Sequence, residues 1–435
     1  MRALRLLLPL VCLAMLIPSC RAADGPRGPA DAPTGVTFIA TSDSHYDAFE
    51  NEDRNERDRA TIDQINAIAG VAWPEQLGGD PISRPRGVVA LGDLIDDGDR
   101  QFQGKNQTQP QWAFFVKDFG LDGTDGRLKY PAFETWGNHD GPPVGKERFG
   151  FSTQAHLKER NRIRLRKGLI TNLSENGLHY SWDWDRVHLV QLGIYPADAQ
   201  HPDIRYNRVW HDPQGALAFL KKDLQKNVGD SGRPVVVMAH CGFDTDWWHK
   251  DDWKAFYEAV RPYNVVAYLH GHSGTGLRTY KPQGAQGEPL TVINTGQTEN
   301  GFFVIQVTRT RLRAAYHMKQ AKRYRDADGV NHYEWDGTWS WRHVLDKDLA
   351  PRSAAAEPPP SAASEPRPRG SGTAGVRQRL GLFNPGLLTQ ADEERLDGPI
   401  YRDGCFELPN KPGLGIELNE DVCRKHLAAG SGFFE

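Results

Sequence analysis

Side chains that bind metal ions recur at five points of the sequence, each just after a short apolar run. The five groups are Asp43-Ser44-His45, Gly92-Asp93, Gly137-Asn138-His139-Asp140, His240 and His270-Gly271-His272. One histidine after a strand is more often structural than functional, but five groups placed alike after their apolar runs indicate one shared metal site. Mixed carboxylate, amide and imidazole ligands suit Fe, Mn, Zn or Co better than Ca. Two such ions about 3.5–4 Å apart can clamp a phosphoryl group and lower the pKa of a bound water.

The elements that must position these groups are predicted from the same apolar runs. Buried strands are expected over residues 36–40, 88–91, 132–136, 187–192, 235–239, 265–269, 291–293 and 302–307. Helices are expected over residues 51–69, from Asp212 as N-cap through an apolar stripe that ends at Val228, and over residues 252–261. Short apolar strands that alternate with helices predict a layered α/β fold with covered sheets. Such folds place their sites beyond the carboxyl ends of the strands.

These motifs resemble those of the calcineurin-like metallophosphoesterases, which include purple acid phosphatases and cyclic-nucleotide phosphodiesterases. That family carries D-x-H, G-D-x-x, G-N-H-D/E, a lone H and G-H-x-H in this order, and the first three match in full. The resemblance extends over about residues 36–307. It implies an α/β fold in which two β-sheets pack as a sandwich flanked by helices. It also implies metal-dependent hydrolysis of phosphate monoesters or diesters, with a metal-bound hydroxide attacking phosphorus.

The resemblance also assigns roles to individual residues. The implied metal ligands are Asp43 and His45 for a first ion, Asp93 as the bridge, and Asn138, His240 and His272 for a second ion. His139 would act as a general acid toward the leaving group. Asp140 would hold the ring of His139 in orientation.

One position departs from the family pattern, because Gly274 stands where the family has the second histidine of its last motif. His270 and His272 could replace that pair, which would make His270 a metal ligand. Alternatively, the first ion has one protein ligand fewer and one more water, and His270 has a packing role. The departure also motivates a second hypothesis, in which the chain is a non-catalytic binding or scaffold protein on a degenerate phosphoesterase fold.

Other segments could shape the site or support the fold. Loops at residues 46–56, 101–109 and 243–253 are expected to form the pocket walls, and the tryptophans of the last loop either line the pocket or cap the core. The basic segment 158–167 is either a solvated helix face or a surface that steers phosphate. His188 is expected to be structural.

The composition describes a folded chain with balanced charge. Of the 435 residues, 38% are hydrophobic and 25% are charged, and the formal net charge is −3. Such a chain lacks the net basic face of a general nucleic-acid binder. The resemblance implies a small phosphate ester or a phospholipid head group as the partner, and the charge balance argues against nucleic acid. The sequence leaves the substrate, the metal and the oligomeric state open.

The first 20 residues resemble an export signal, with two arginines, an apolar run too short to span a bilayer, and a small residue before Cys20. This pattern predicts a bacterial lipoprotein anchored through Cys20. The alternative is cleavage near Ala22, which gives a periplasmic or secreted protein. The remaining predicted segments are a tether at 21–35, the metallophosphoesterase domain at 36–348, a disordered linker at 349–372, and a tail at 373–435 in which Cys405 and Cys423 could form a disulfide.

Overall fold

The computed structural model describes residues 35–48, 52–99, 101–102, 104–141, 147–205, 211–326, 329, 331–349, 401–402 and 405–406. The predicted export signal lies outside these ranges, as do the tether and the linker except for Gly35 and Leu349. In the tail, Tyr401–Arg402 pairs antiparallel with Cys405–Phe406, and Cys423 of the predicted disulfide lies outside the described residues. Within the described ranges, every helix is too short or too polar to cross a bilayer.

Two large β-sheets form the centre of the fold. In spatial order, the first sheet contains Trp339–Asp348 (β17), Arg311–Lys319 (β14), Gly301–Val307 (β13), Val36–Thr41 (β1), Val88–Leu91 (β2) and Ala132–Thr135 (β5). The second contains Thr275–Tyr280 (β11), Leu290–Thr295 (β12), Val265–His270 (β10), Val235–Met238 (β9), Val187–Gln191 (β8), Tyr180–Trp184 (β7) and Asn172–Leu173 (β6). Two small hairpins are formed by Gln101–Phe102 (β3) with Lys105–Asn106 (β4), and by Lys322–Arg325 (β15) with Asn331–Glu334 (β16).

The strands that precede the metal-binding motifs pair in parallel within each sheet. In the first sheet β2 lies between β1 and β5, parallel to both. In the second sheet β8, β9, β10 and β12 are parallel neighbours. Parallel strands bring their carboxyl ends to one edge of a sheet, so the residues that follow them gather there. This architecture confirms the predicted α/β fold with two sheets.

Side chains of the central strands alternate between two buried clusters. Phe38 and Val236 belong to a cluster made by strands of both sheets, whereas Ile39, next in sequence to Phe38, belongs to a cluster that includes side chains of the helices. Phe133 of β5 stacks on Trp182 of β7 with 4.4 Å between ring centroids, which links the two sheets directly. Each central strand is thus covered on both faces, and this explains why its sequence is continuously apolar.

Five α-helices are found among the described residues. They are Glu52–Ala67 (α1), Thr108–Phe119 (α2), Thr153–Arg166 (α3), Ala216–Asp223 (α4) and Lys250–Val260 (α5). α4 begins after Gly215, whose φ is 73°, and not at Asp212 as predicted. The Asp212 carboxylate accepts a hydrogen bond from Gln214 N at 2.8 Å, so it closes a local turn and caps no helix. α4 continues as a π-helical turn over Leu224–Val228.

Part of the basic segment is buried where α3 packs on the first sheet. Arg160 Nε lies 2.6 Å from Glu134 Oε1, and Arg164 pairs with the other oxygen of this carboxylate. The side chains of Glu134 and Arg164 are fully buried. Burial alone would raise the pKa of Glu134, but the two guanidinium groups hold it below its usual range. These two arginines therefore attach α3 to β5. They belong neither to a solvated helix face nor to a surface that steers phosphate.

His188 of β8 lies between two carboxylates. Its Nδ1 is 2.7 Å from Asp183 Oδ1, and its Nε2 is 2.7 Å from Asp223 Oδ2. Burial alone would lower the pKa of His188, but the hydrogen bonds and charges of both aspartates outweigh it and raise the pKa above 6.5. The folded protein therefore keeps this proton to a higher pH than the unfolded chain, and proton binding favours the fold. These contacts give His188 a structural role.

We expect His188→Gln to lower the free energy of unfolding by about 3–5 kcal/mol, because Asp223 stays buried without its charged partner. The difference from the wild type should be largest below pH 6.5 and should shrink as the pH rises through the raised pKa. Urea unfolding at several pH values measures both effects. His332→Gln serves as the control, because His332 pairs with Asp326 near the surface. A difference that does not vary with pH would contradict the assignment.

Candidate metal centre

The strand ends bring six of the predicted site residues around one cavity of about 370 Å³. The six are Asp43, His45, Asp93, Asn138, His139 and His272. His240 is fully buried beside them. Its Nε2 lies 3.3 Å from Asp93 Oδ2 and 3.0 Å from Asn138 Oδ1. Residues that follow β1, β2, β5, β9 and β10 therefore meet at one place, which is called the metal cavity below.

Four of these residues have a left-handed backbone conformation. The angle φ is 50° at Asp43, 47° at His45, 50° at Asp93 and 69° at His272. Residues other than glycine rarely adopt this conformation, which costs about 1–3 kcal/mol each and is found mostly at functional sites. Main-chain hydrogen bonds hold it here, since the N–H of Asp43 donates to Gly92 O at 2.9 Å and that of His45 to Asp93 O at 3.0 Å.

Two glycines permit the close approach of Asp93 and His240. A Cβ at Gly137 would overlap Asp93 Oδ1, and a Cβ at Gly92 would lie only 2.6 Å from His240 Nδ1. Gly92 also has a φ of 86°, in the region that favours glycine. A side chain at either position would displace a candidate ligand.

Asp93 occupies the centre of the arrangement. Its carboxylate belongs to two groups of potential ligand atoms, each lying within 4.8 Å of one another, one with His45 and His139 and the other with Asp43 and His240. A carboxylate shared by two such groups has the position that a bridging ligand requires. The mixture of carboxylate oxygens and imidazole nitrogens is a donor set that fits transition-metal ions.

Main-chain groups orient the candidate ligands. His240 Nδ1 lies 2.7 Å from Leu91 O, so the N–H at Nδ1 donates to this carbonyl and Nε2 faces Asp93. The main-chain N–H of His272 donates to Asp43 Oδ2 at 3.0 Å. Contacts of this kind select the tautomer and the ring orientation of histidines that bind metals.

The charges of the site influence one another strongly. Burial alone would raise the pKa of Asp93, but the charges of His240 and His139 hold it well below its usual range. Burial also opposes protonation of His240, yet the negative charge of Asp93 and the hydrogen bond to it raise the pKa of His240 to about 9. Burial lowers the pKa of His272 to about 4, and the charge of His240 adds to this effect. A bound cation would therefore displace the proton of His240.

His139 faces the metal cavity. Its main-chain N–H donates to Asp93 Oδ1 at 2.8 Å, and its ring lies edge-on to His45 with 4.6 Å between centroids. Its Nδ1 hydrogen-bonds to the main-chain carbonyl of Asp96. Because Nδ1 donates there, Nε2 is left for a group inside the cavity.

Asp140 does not make the expected contact with the ring of His139. It is fully buried, and its carboxylate accepts hydrogen bonds from three main-chain N–H groups at 2.6–3.1 Å. The three donors belong to Leu94, Ile95 and Gly137. The predicted orienting role is therefore wrong, since Asp96 supplies the ring's partner. Asp140 holds the loops after β2 and β5 together, and it thereby positions Asp93 and His139 through the main chain.

His270 does not join the candidate ligands. Its Nδ1 is 2.8 Å from Gly271 O, and its ring fills the space at Gly242, where a Cβ would lie 2.7 Å from Nε2. The groups of potential ligand atoms found among the described residues do not include it. The structure therefore contradicts the ligand role of His270 and supports its packing role. The physical reason is that His270 is still part of β10, whereas His272 lies in the left-handed turn after it.

Space is open where the family places its last histidine. Gly274 lines the metal cavity, and a Cβ there would have no atom within 4 Å. Among the described residues, none fills the space next to Gly274 where the missing histidine side chain would begin. This geometry favours the account in which one site has one protein ligand fewer.

We expect Gly274→His to tighten metal binding, because the new imidazole can enter the open space beside Asp43 and His45. The gain should be about tenfold to a hundredfold, the range that even indirect partners of ligands reach. Calorimetric titration with Mn²⁺ or Zn²⁺ measures it. Gly104→His is a matched control, since Gly104 has a φ of 74°, against 75° at Gly274, and open space of its own. Equal affinities in the variant and the wild type would argue against a missing ligand.

The two expectations for the tryptophans after β9 apply to different residues. Trp247 lines the metal cavity, and its ring lies edge-on to His272 at 4.5 Å. Trp248 is fully buried and stacks on Phe243 at 5.2 Å. One ring therefore belongs to the cavity wall and the other to the core.

Several wall residues were not predicted. They are Thr275, Gln297 and Asn300. Gln297 and Asn300 follow β12, so the pattern of polar residues after a strand would have indicated them too. The described residues of the predicted wall at 101–109 do not line this cavity.

Comparison with known proteins agrees with this geometry. The calcineurin-like phosphoesterase family profile matches residues 36–275, and no curated protein sequence matches the chain. Similar solved structures include GAP50, the anchor in the inner membrane complex of Plasmodium, at 11% identity and a TM-score of 0.39, covering 69% of this chain and 89% of that one. Another is TT1561 of Thermus thermophilus, at 14% identity and a TM-score of 0.35, covering 63% and 95% respectively.

A third similar structure is Vps29 of Chaetomium thermophilum, at 9% identity and a TM-score of 0.27, covering 73% of this chain and 99% of that one. The profile match extends over more than half of the 435 residues. It includes the whole series of motifs from Asp43 to Gly274. The chain therefore belongs to the calcineurin-like phosphoesterase family.

Proposed function

We propose that the chain hydrolyses phosphate esters at a centre of two transition-metal ions. The observation that carries the proposal is the position of Asp93, whose Oδ2 lies 3.8 Å from Nε2 of His45 and 3.3 Å from Nε2 of His240. A bridging carboxylate is what a pair of closely spaced ions requires. Bound there, the ions would act as Lewis acids on the phosphoryl oxygens and would activate a water.

Individual residues of the chain would hold the ions and limit the position of the substrate. Asp43 and His45 would hold one ion, and Asn138, His240 and His272 would hold the other, with Asp93 shared between them. The position of the phosphoryl group is limited by the walls at Trp247, Gln297 and Asn300.

His139 is proposed to protonate the leaving oxygen. Its Nδ1 is committed to Asp96 O, so the proton for the leaving group would come from Nε2 in the metal cavity. Transfer by a positioned histidine contributes about 10²–10⁴-fold to a rate. The hydrogen bond from the main-chain N–H of His139 to Asp93 Oδ1 holds His139 beside the proposed bridging carboxylate.

Hydrolysis of p-nitrophenyl phosphate and of its bis ester, with added Mn²⁺, tests the proposal. Turnover of either ester by the purified chain supports it, and the ratio of the two rates distinguishes a monoesterase from a diesterase. A protein that binds metal but hydrolyses neither ester would favour the non-catalytic binding role that the open position at Gly274 suggests.

A further inference from the structure

A second cavity of about 1270 Å³ adjoins the metal cavity and is called the side groove. Its lining comes from α1, from the loop after β2, and from the β15–β16 hairpin. The metal cavity, at about 370 Å³, is near the lower limit for ligand pockets, which measure about 300–1,000 Å³. The two ions, the water and the phosphoryl group would share that volume, so a large leaving group extends beyond it.

Side chains that line one cavity contact side chains that line the other. On one side Asp96 lines the side groove, and its Oδ1 lies 3.6 Å from Nδ1 of His45 in the metal cavity. On the other side Asn300 lines the metal cavity and accepts a hydrogen bond at 2.8 Å from Arg323 of the groove. His139, the proposed acid, is bonded to Asp96. The ring of His139 therefore lies between the metal cavity, which Nε2 faces, and the border of the side groove at Asp96.

The side groove contains many charged side chains, and most of them are paired with another group of the protein. Four arginines and five carboxylate residues line it, so its formal charge is close to zero. Each guanidinium donates to an acceptor of the protein. The contacts are Arg54 to Asp96 at 2.7 Å, Arg57 to Glu299 at 2.5 Å, Arg323 to Asn300 at 2.8 Å, and Arg325 to Gly329 O at 2.7 Å. Since five carboxylate residues stand against four arginines, a second phosphate would meet little net positive charge there.

Hydroxyl groups match such a surface better than anions do. A hydroxyl donates one hydrogen bond and accepts two, so it can donate to a carboxylate and accept from the arginine beside it without separating them. Aromatic rings complete the lining, among them Tyr324, which is 37% exposed and stacks on His332 at 4.9 Å. Resting on the phosphoesterase function proposed above, we propose that the side groove receives an uncharged polyhydroxyl leaving group, of the size of a sugar ring or larger.

Steady-state kinetics with three esters tests this assignment. Glucose 1-phosphate carries a polyhydroxyl leaving group, glucose 1,6-bisphosphate adds a second phosphate, and p-nitrophenyl phosphate has neither feature. If only diesters are cleaved, the methyl diesters of the two sugar phosphates replace them. We expect kcat/KM to be about tenfold higher for glucose 1-phosphate than for the bisphosphate. A double variant, Tyr324→Ala with Arg325→Ala, should lose about tenfold on glucose 1-phosphate and nothing on p-nitrophenyl phosphate.

Asp336→Asn is the control, because Asp336 lies just after β16, hydrogen-bonds to Thr338 and does not line the side groove. A preference for the bisphosphate, or an equal effect of the double variant on all esters, would overturn the assignment while the phosphoesterase function stands. If the wild type hydrolyses no ester, calorimetric binding of glucose 1-phosphate decides. Binding that is tenfold weaker in the double variant and unchanged in the control would support the groove assignment and reject the phosphoesterase function. Unchanged binding in the double variant would reject both the groove assignment and the phosphoesterase function.

Discussion

An Asp93→Asn variant is expected to lose most of its bound metal. The amide keeps the shape of the carboxylate but has no negative charge, and its nitrogen is a poor metal ligand. It therefore cannot bridge two cations. Asp93 also lies beside one proposed ligand of each ion, at 3.8 Å from His45 and 3.3 Å from His240, so its loss should affect both ions together. Metal content after dialysis, measured by mass spectrometry, gives the result directly.

Asp99→Asn is the matched control for this experiment. Asp99 also follows β2 and has a left-handed φ of 67°, but its carboxylate pairs with Arg148 at 2.9 Å, and it belongs to none of the ligand groups found among the described residues. Its substitution should leave the metal content unchanged. Thermal unfolding of both variants shows whether the fold is retained. Full metal content in Asp93→Asn would remove the bridging role.

Substitution of His139 by Gln should leave metal content and fold intact and lower kcat by about 10²–10⁴-fold. The main-chain N–H that contacts Asp93 Oδ1 remains in the variant, so the bridging carboxylate keeps this partner. The side chain loses only its ability to deliver a proton. The loss should therefore be larger for an alkyl phosphate, whose leaving oxygen needs a proton, than for p-nitrophenyl phosphate, whose leaving group is stable as an anion.

This dependence on the leaving group separates acid catalysis from a positioning role. Equal losses on the two esters would mean that His139 orients the substrate and transfers no proton. His156→Gln, a substitution in α3 away from the metal cavity, should change neither rate. Near wild-type turnover by His139→Gln on both esters would remove the residue from the mechanism.

The central strands could be predicted because they are covered on both faces. The runs at 88–91 and 302–307 lie within one residue of the observed β2 and β13. The strands β14 and β17 were not predicted, because neither contains the continuous apolar run on which the other strand predictions rest. Their antiparallel pairing depends on contacts between residues distant in sequence, which a local pattern does not contain.

The candidate ligands could be predicted for a related reason. A polar residue at the end of a buried strand must face the sheet edge, so Asp43, Asp93 and His240 converge wherever their strands are parallel neighbours. The partners of the carboxylates and rings could not be predicted. Asp140 binds main-chain amides and His270 turns toward Gly242, and each choice depends on distances of a few tenths of an ångström between loops.

The β15–β16 hairpin has a consequence for engineering. It begins at Lys322, after the last residue matched by the family profile, whereas every proposed metal ligand lies within residues 36–275. The hairpin connects β14 to β17, so a transplanted loop of another length and composition need only join the same two strand ends. If both proposals hold, the chain separates a reaction core from a recognition insert. Libraries of such inserts would be a direct route to esterases with new substrate ranges.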